Sequence, residues 1–286
     1  MILNILFIVI GIVLVLWGAD RLTDGAVAVG EKMKMPQIVI GLTIVAMGTS
    51  MPEFCVSLIS ALKGTSDLAV GNIVGSNIFN TLLIVGVSAL VAPMSIMKTT
   101  VRKDIPFALV ASALLLIMCL DGDISRIDAA ILFVMFLIFM YITLRGAKAQ
   151  GTDLEEKEKK SMATWLSVVW ILVGLACLIG GSNLFVDGAT AVATKLGVSE
   201  AVIGLTIVAG GTSLPELATS VVSARKGNSG IAIGNVLGSN VFNILAILGL
   251  TGVISPMTLK GITMTDLSMM VISIILIWLF SFTKYK

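Results

Sequence analysis

Two glutamates carry the strongest chemical signal in the chain. Glu53 closes Gly48-Thr49-Ser50-Met51-Pro52-Glu53, and Glu216 closes Gly211-Thr212-Ser213-Leu214-Pro215-Glu216. Both lie inside apolar sequence, where an ionisable side chain is expensive and marks a functional position. Ala46, Thr49, Ser50 and Glu53 fall at helical offsets 0, 3, 4 and 7, one face of a helix. Ala209, Thr212, Ser213 and Glu216 repeat that face. In the segments that follow, Asn72, Ser76 and Asn80 line one stripe, and Asn235, Ser239 and Asn243 line another. Pro52 and Pro215 remove a backbone donor each, which frees the carbonyls of Gly48 and Gly211. Two carboxylates, hydroxyls, side-chain amides and free carbonyls are hard oxygen donors. They suit Ca²⁺, Mg²⁺ or alkali ions rather than Zn²⁺ or copper. Two carboxylates would neutralise one divalent cation. A lone glutamate could equally hydrogen-bond a neighbouring helix. Two at matching places, each with Thr, Ser and Pro, favour a cation site. The Asn/Ser stripes divide between ligands and interhelical glue.

Other chemistry finds little support. The chain has no histidine, so it lacks the commonest metal ligand and proton shuttle. Cys55, Cys119 and Cys177 sit at unrelated spacings in apolar segments, which forms neither a disulfide framework nor a zinc pattern. Met residues are scattered and read as packing or lipid-facing groups. There is no nucleophile–base pair and no cofactor motif, so the chain does not read as an enzyme. Nothing points to nucleic acid, and protein partners are not legible.

The elements that must hold these residues are membrane helices. Of 286 residues, 57% are hydrophobic and 13% charged, against roughly a quarter charged in soluble domains. Nine segments read as spans, over 2–30, 36–62, 67–92, 104–120, 126–145, 164–194, 200–225, 230–254 and 263–283. The first residues lack a basic region and a cleavage site, so the first segment reads as a retained span. Placing the N-terminus outside puts fourteen Lys and Arg in inner loops and four in outer ones. The bias of positive charge toward the inner side therefore favours N-out, in a cell inner (plasma) membrane. Asp24 and Asp187 lie near helix ends and read as anchors between helices. Asp20 and Arg21 lack charged counterparts and read as structural.

The sequence also repeats itself without gaps at an offset of 163. Val39 to Ala46 reappears as Val202 to Ala209, and the same offset carries Glu53, Asn72, Ser76 and Asn80 onto Glu216, Asn235, Ser239 and Asn243. Residues 1–148 form a first repeat of five spans, 149–163 a cytoplasmic linker, and 164–286 a second repeat of four. An odd number of spans turns the second copy over in the membrane. The expected fold is an all-α membrane protein, an inverted-repeat transporter with its site at the midplane between repeats.

These paired motifs, with Gly71-Asn72-Ile73-Val74-Gly75-Ser76-Asn77 and its partner Gly234 to Asn240, resemble those of the cation/calcium exchanger superfamily, specifically the prokaryotic sodium/calcium exchangers. The resemblance covers nearly the whole chain. It implies exchange of Na⁺ for Ca²⁺ by alternating access, usually three Na⁺ per Ca²⁺, with no cofactor beyond the transported ions. It implies Ca²⁺ at Glu53, Glu216, Thr49 and Thr212. Na⁺ would use Ser50, Ser213, Ser76, Ser239, the Ala46 and Ala209 carbonyls and both glutamates, with Asn80 and Asn243 flanking the middle site. The long first span of each half, 2–30 and 164–194, would form the family's sliding gating bundle. Two departures stand out. Some members carry Asp where Asn243 stands, so the middle here is neutral. The family usually has ten spans, one more than the nine read here. H⁺/Ca²⁺ antiport is the alternative on this fold, and a passive cation channel a more distant one. The run into Gly-Ser-Asn and the absence of histidine favour sodium coupling.

Overall fold

The computed structural model describes residues 1–150, 162–199 and 203–282. It is helical throughout apart from one tiny ribbon. In chain order the helices are α1 (Ile2–Lys32), α2 (Gln37–Thr49), α3 (Met51–Leu62), α4 (Ser66–Val91), α5 (Thr100–Asp121), α6 (Arg126–Gln150), α7 (Thr164–Lys195), α8 (residues 204–212), α9 (Leu214–Arg225), α10 (Ser229–Ile254) and α11 (Met264–Ser281). The ribbon pairs Asp123–Ile124 with Met257–Thr258 antiparallel and ties the loop before α6 to the loop after α10.

Among the described residues, seven helices are long and apolar enough to cross a membrane, or eight when the pair α2 and α3 counts as one broken span. The expectation of nine is therefore not met in full. The segment expected at 200–225 begins on residues 200–202, which lie outside the described ones. Its described remainder is more polar than the others, because α9 holds Glu216, Thr219, Ser220, Ser223 and Arg225 within twelve residues. Helix α6 runs on to Gln150, and 151–161 lie outside the described residues.

The long helices α1 and α7 pack along a glycine seam. Gly11, Gly18 and Gly25 recur every seventh residue, as do Gly174, Gly181 and Gly188. A Cβ on Gly11 would lie 2.7 Å from the Gly181 carbonyl oxygen, and one on Gly174 would lie 2.7 Å from the Leu22 nitrogen. Only glycine permits such backbone approach, and it gains dispersion contacts where lipid offers no hydrophobic drive between helices. Beside the seam Trp17 and Trp170 meet edge to face, with their ring centroids 5.9 Å apart. The Arg21 guanidinium lies 5.1 Å from the Trp170 centroid, a cation–π contact.

The centre of the molecule is α10. Its apolar window is wholly buried. It crosses α2 at Gly41 and Gly234, where a Cβ on either residue would come within 3 Å of the other's Cα. Helix α6 covers its far half, with Phe133 against Gly249 and Ala129 against Gly252.

Candidate ion-binding site

Both glutamate motifs sit at a break in a helix. The first segment stops at Thr49, Ser50 turns with φ −82° and ψ 9°, and α3 resumes at Met51 with a 48° change of axis. In the second half, Ser213 turns with φ −90° and ψ 7° between Thr212 and Leu214. The spans read from the sequence place each proline in the middle of one helix. The chain instead breaks at the serine and restarts, so each proline lies in a first helical turn, where a missing N–H is harmless. Each glutamate then lies in the first turn of a twelve-residue helix, where the helix dipole favours a negative charge.

A wider turn precedes each break. Gly41–Val45 and Gly204–Val208 wind as π-helix, at the same repeat offset. So do Asn80–Ile84 and Phe242–Leu248, which contain the two flanking asparagines. Such turns interrupt the regular backbone ladder and gather at functional sites. Nothing in the residue pattern signalled them.

The two motifs interlock. Ser213 donates to Glu53 Oε1 at 3.1 Å, and Ser50 donates to Glu216 Oε1 at 2.9 Å. Ser76 reaches Glu53 Oε1 at 3.5 Å. Both glutamates are fully buried. Their second oxygens, Glu53 Oε2 and Glu216 Oε2, have no protein hydrogen-bond partner, and neither do Ser239 Oγ, Asn80 Oδ1 and Asn243 Oδ1. Among the described residues, ion pairs involve only Asp20, Arg21, Asp24 and Lys226, so no basic side chain reaches either glutamate.

The backbone under each glutamate is braced in the same way. Asn72 donates from one Nδ2 to the Glu53 carbonyl at 3.2 Å and to Ser57 Oγ at 3.0 Å. Asn235 does so for Glu216, at 3.3 Å, and for Ser220 Oγ at 2.9 Å. These asparagines thus position the helix starts that hold the carboxylates. Asn77 and Asn240, which lie off the ligand stripe, contact Asn243 and Asn80. Their recurrence at the repeat offset was the available signal for them.

The symmetry fails at the threonines. Thr49 is buried and donates to Asn235 Oδ1 at 3.1 Å. Thr212 is half-buried and reaches only the Ala209 carbonyl in its own helix, at 3.3 Å. Ala46 is fully buried, whereas Ala209 is exposed. The structure therefore holds Glu53 with Ser213 and Ser76, and Glu216 with Ser50, in two sets of hydrogen bonds that cross between the repeats, and ties Asn80 and Asn243 to Asn240 and Asn77 of the opposite repeat. Thr212 and Ala209 stand at its open edge.

The family model for the sodium/calcium exchanger protein matches residues 3–145 and 166–286. The chain belongs to the sodium/calcium exchanger family. Over 264 residues the exchanger is 36% identical to the inner membrane protein YrbG of Escherichia coli, covering 90% of this chain and 81% of that one. It is 32% identical over 315 residues to the sodium/calcium exchanger MaX1 of Methanosarcina acetivorans, covering 96% and 90%. Its fold matches that of the sodium-calcium exchanger NCX_Mj, solved from crystals soaked with Na⁺ and Sr²⁺ and from others soaked with Na⁺ and Ca²⁺. The TM-score is 0.86 in both cases. The first comparison has 31% identity and covers 99% of this chain and 91% of that one.

Proposed function

We propose that this exchanger is a secondary active Na⁺/Ca²⁺ antiporter that works by alternating access. The reading rests on the interlocked motifs. Two buried carboxylates, each hydrogen-bonded by the other half's serine, keep free oxygens that no basic side chain among the described residues neutralises. Buried charge in that arrangement calls for a cation. Ca²⁺ would be held by Glu53, Glu216 and the oxygens of Thr49 and Thr212. Na⁺ would use Ser50, Ser213, Ser76, Ser239, the Ala46 and Ala209 carbonyls and the same glutamates, with Asn80 and Asn243 beside the middle position. Sharing the glutamates makes the two ions compete, so loading one releases the other.

The wider architecture follows the repeat. We infer that α8 and α9 complete a ninth crossing, the counterpart of α2 and α3. Residues 1–148 and 164–286 would then form antiparallel halves joined by 149–163. The excess of inner-loop Lys and Arg supports an outside N-terminus in the inner (plasma) membrane. Exposure of Thr206 and Ala209, against burial of Thr43 and Ala46, supports an outer mouth at α8.

The test is Na⁺-gradient-driven ⁴⁵Ca²⁺ uptake in proteoliposomes. The unsubstituted protein should take up Ca²⁺ only against a Na⁺ gradient. Glu53→Gln or Glu216→Gln should lower uptake about 100-fold or more, since unpairing a buried charge costs about 3 kcal/mol or more. Full uptake by either variant overturns the site. Equal uptake driven by a pH gradient without Na⁺ overturns the coupling ion.

A further inference from the structure

Asn80 and Asn243 have a problem that the glutamates do not. A carboxylate offers an oxygen whichever way it turns. An amide has an oxygen at one end and an NH₂ group of similar size at the other, and only the oxygen attracts a cation. A flipped amide would set partial positive charge beside the ions. Something must fix which end faces the site.

The fixing groups are on the page. Asn243 donates from Nδ2 to Asn77 Oδ1 at 3.0 Å, and Asn80 donates from Nδ2 to Asn240 Oδ1 at 3.3 Å. Each bond crosses from one repeat to the other. With the nitrogen ends tied, Asn80 Oδ1 and Asn243 Oδ1 are left buried without a protein partner. The acceptors are locked in turn. Asn77 donates from Nδ2 to the Asn240 carbonyl at 3.2 Å. Asn240 donates from Nδ2 to Thr81 Oγ1 at 2.7 Å, and the Thr81 hydroxyl donates in turn to the Asn77 carbonyl at 2.6 Å. Asn77, Asn240 and Thr81 are all buried, so water cannot replace a lost partner. Flipping Asn80 or Asn243 would set its oxygen against the acceptor oxygen of Asn240 or Asn77, and flipping Asn77 or Asn240 would set donor against donor; either breaks the chain of bonds.

We propose that Asn77 and Asn240 are positioning residues: acting across the repeat interface, they hold the amides of Asn243 and Asn80 with their oxygens toward the ions. The proposal deepens the exchange reading and rests on it. Each repeat thereby sets the polarity of a ligand in the other. All four asparagines belong to α4 and α10, so the orientation does not depend on the long helices α1 and α7.

The test uses the full-length chain in detergent and in proteoliposomes. Equilibrium binding of ⁴⁵Ca²⁺ reports positioning, and Na⁺-driven uptake reports the function itself. Asn77→Leu keeps the branched shape and the number of heavy atoms and removes the acceptor. It should weaken Ca²⁺ binding about ten-fold, with a smaller loss for monovalent Na⁺. In an Asn243→Asp background, where either end of the side chain is oxygen, adding Asn77→Leu should change Ca²⁺ binding by less than about two-fold. Equal loss in both backgrounds makes Asn77 a packing residue and overturns the proposal, as does unchanged binding by Asn77→Leu alone. Asn240→Leu with Asn80→Asp gives an independent second cycle if the first variant does not fold. Unsubstituted protein that binds Ca²⁺ but shows no Na⁺-driven uptake overturns the exchange reading while the binding cycles still decide positioning. Absence of Ca²⁺ binding overturns both.

Discussion

Helices α4 and α10 carry the same Gly-Asn and Gly-Ser-Asn elements at the same repeat offset, yet they live in different surroundings. The apolar window of α10 is fully buried, whereas 44% of that of α4 is. The difference lies in what covers them. Helix α6 lies across α10, with Phe133 and Ala129 against Gly249 and Gly252. At the matching place on α4, Gly86 and Ala89 line an open cavity of about 440 Å³ together with Leu276, Ile277 and Phe280 of α11. The local motif therefore fixes the ligands in both halves, while tertiary cover decides how firmly each half is held. One short sequence serves as a buried pivot in one copy and a partly open wall in the other.

The largest effect that would break this comparison is at a pair of glycines. A Cβ on Gly238 would lie 2.7 Å from Ala46 Cβ and from Leu42 Cα, whereas one on its counterpart Gly75 would meet nothing within 4 Å. Gly238→Ala should lower stability by about 1–3 kcal/mol, because the packed backbone of α2 has to move. Gly75→Ala should leave stability unchanged or raise it by up to about 1 kcal/mol through helix propensity. Thermal unfolding of the purified protein separates the two. Equal losses would mean that the face of α4 is covered after all.

A smaller contrast lies in the motif threonines. Thr49→Val removes the hydrogen bond to Asn235 Oδ1, the residue that braces the Glu216 carbonyl. Leaving that buried oxygen unpaired should cost about 1–3 kcal/mol and weaken Ca²⁺ binding. Thr212→Val removes only a bond to its own helix at the open edge, and its effect on stability should stay within about 0.5 kcal/mol. Calorimetric titration with Ca²⁺, alongside a melting curve, measures both. A larger stability loss at Thr212 would show that the two halves exchange roles in solution.

How legible was this in the sequence? The glutamates, serines and stripe asparagines were readable because helical offsets and the exact repeat both pointed at them. The helix breaks were half readable. Pro52 and Pro215 announced a disturbance, but only the backbone shows that the serine is the turning residue. Asn77 and Asn240 recur at the repeat offset, but their role was hidden, since a residue one step along a helix from Ser76 or Ser239 faces about 100° away from the stripe. What they touch depends on how the repeats pack. The unequal burial of α4 and α10 was not legible at all. Identical motifs cannot encode different neighbours, and that information resides in α6.

The smallest effect concerns the charged ends of the same halves. Lys226, at the end of α9, pairs with Asp20 at 2.5 Å and with Asp24 at 2.7 Å, tying α1 to the core. The repeat offset carries Asp24 to Asp187 and Lys63 to Lys226. Asp187 and Lys63 form no ion pair among those found in the described residues. The anchoring expected of Asp24 is thus present in one half and not reproduced in the other. The tie is about one-third exposed, so solvent screens it. Lys226→Ala should cost no more than about 1 kcal/mol, and less at high salt. Lys63→Ala should cost nothing measurable. Because Lys226 joins a long helix to the core while Lys63 does not, Lys226→Ala should also alter the rate of Na⁺-driven uptake more than Lys63→Ala does. Equal rates in the two variants would remove the end-to-end difference between the halves and leave their contrast to packing alone.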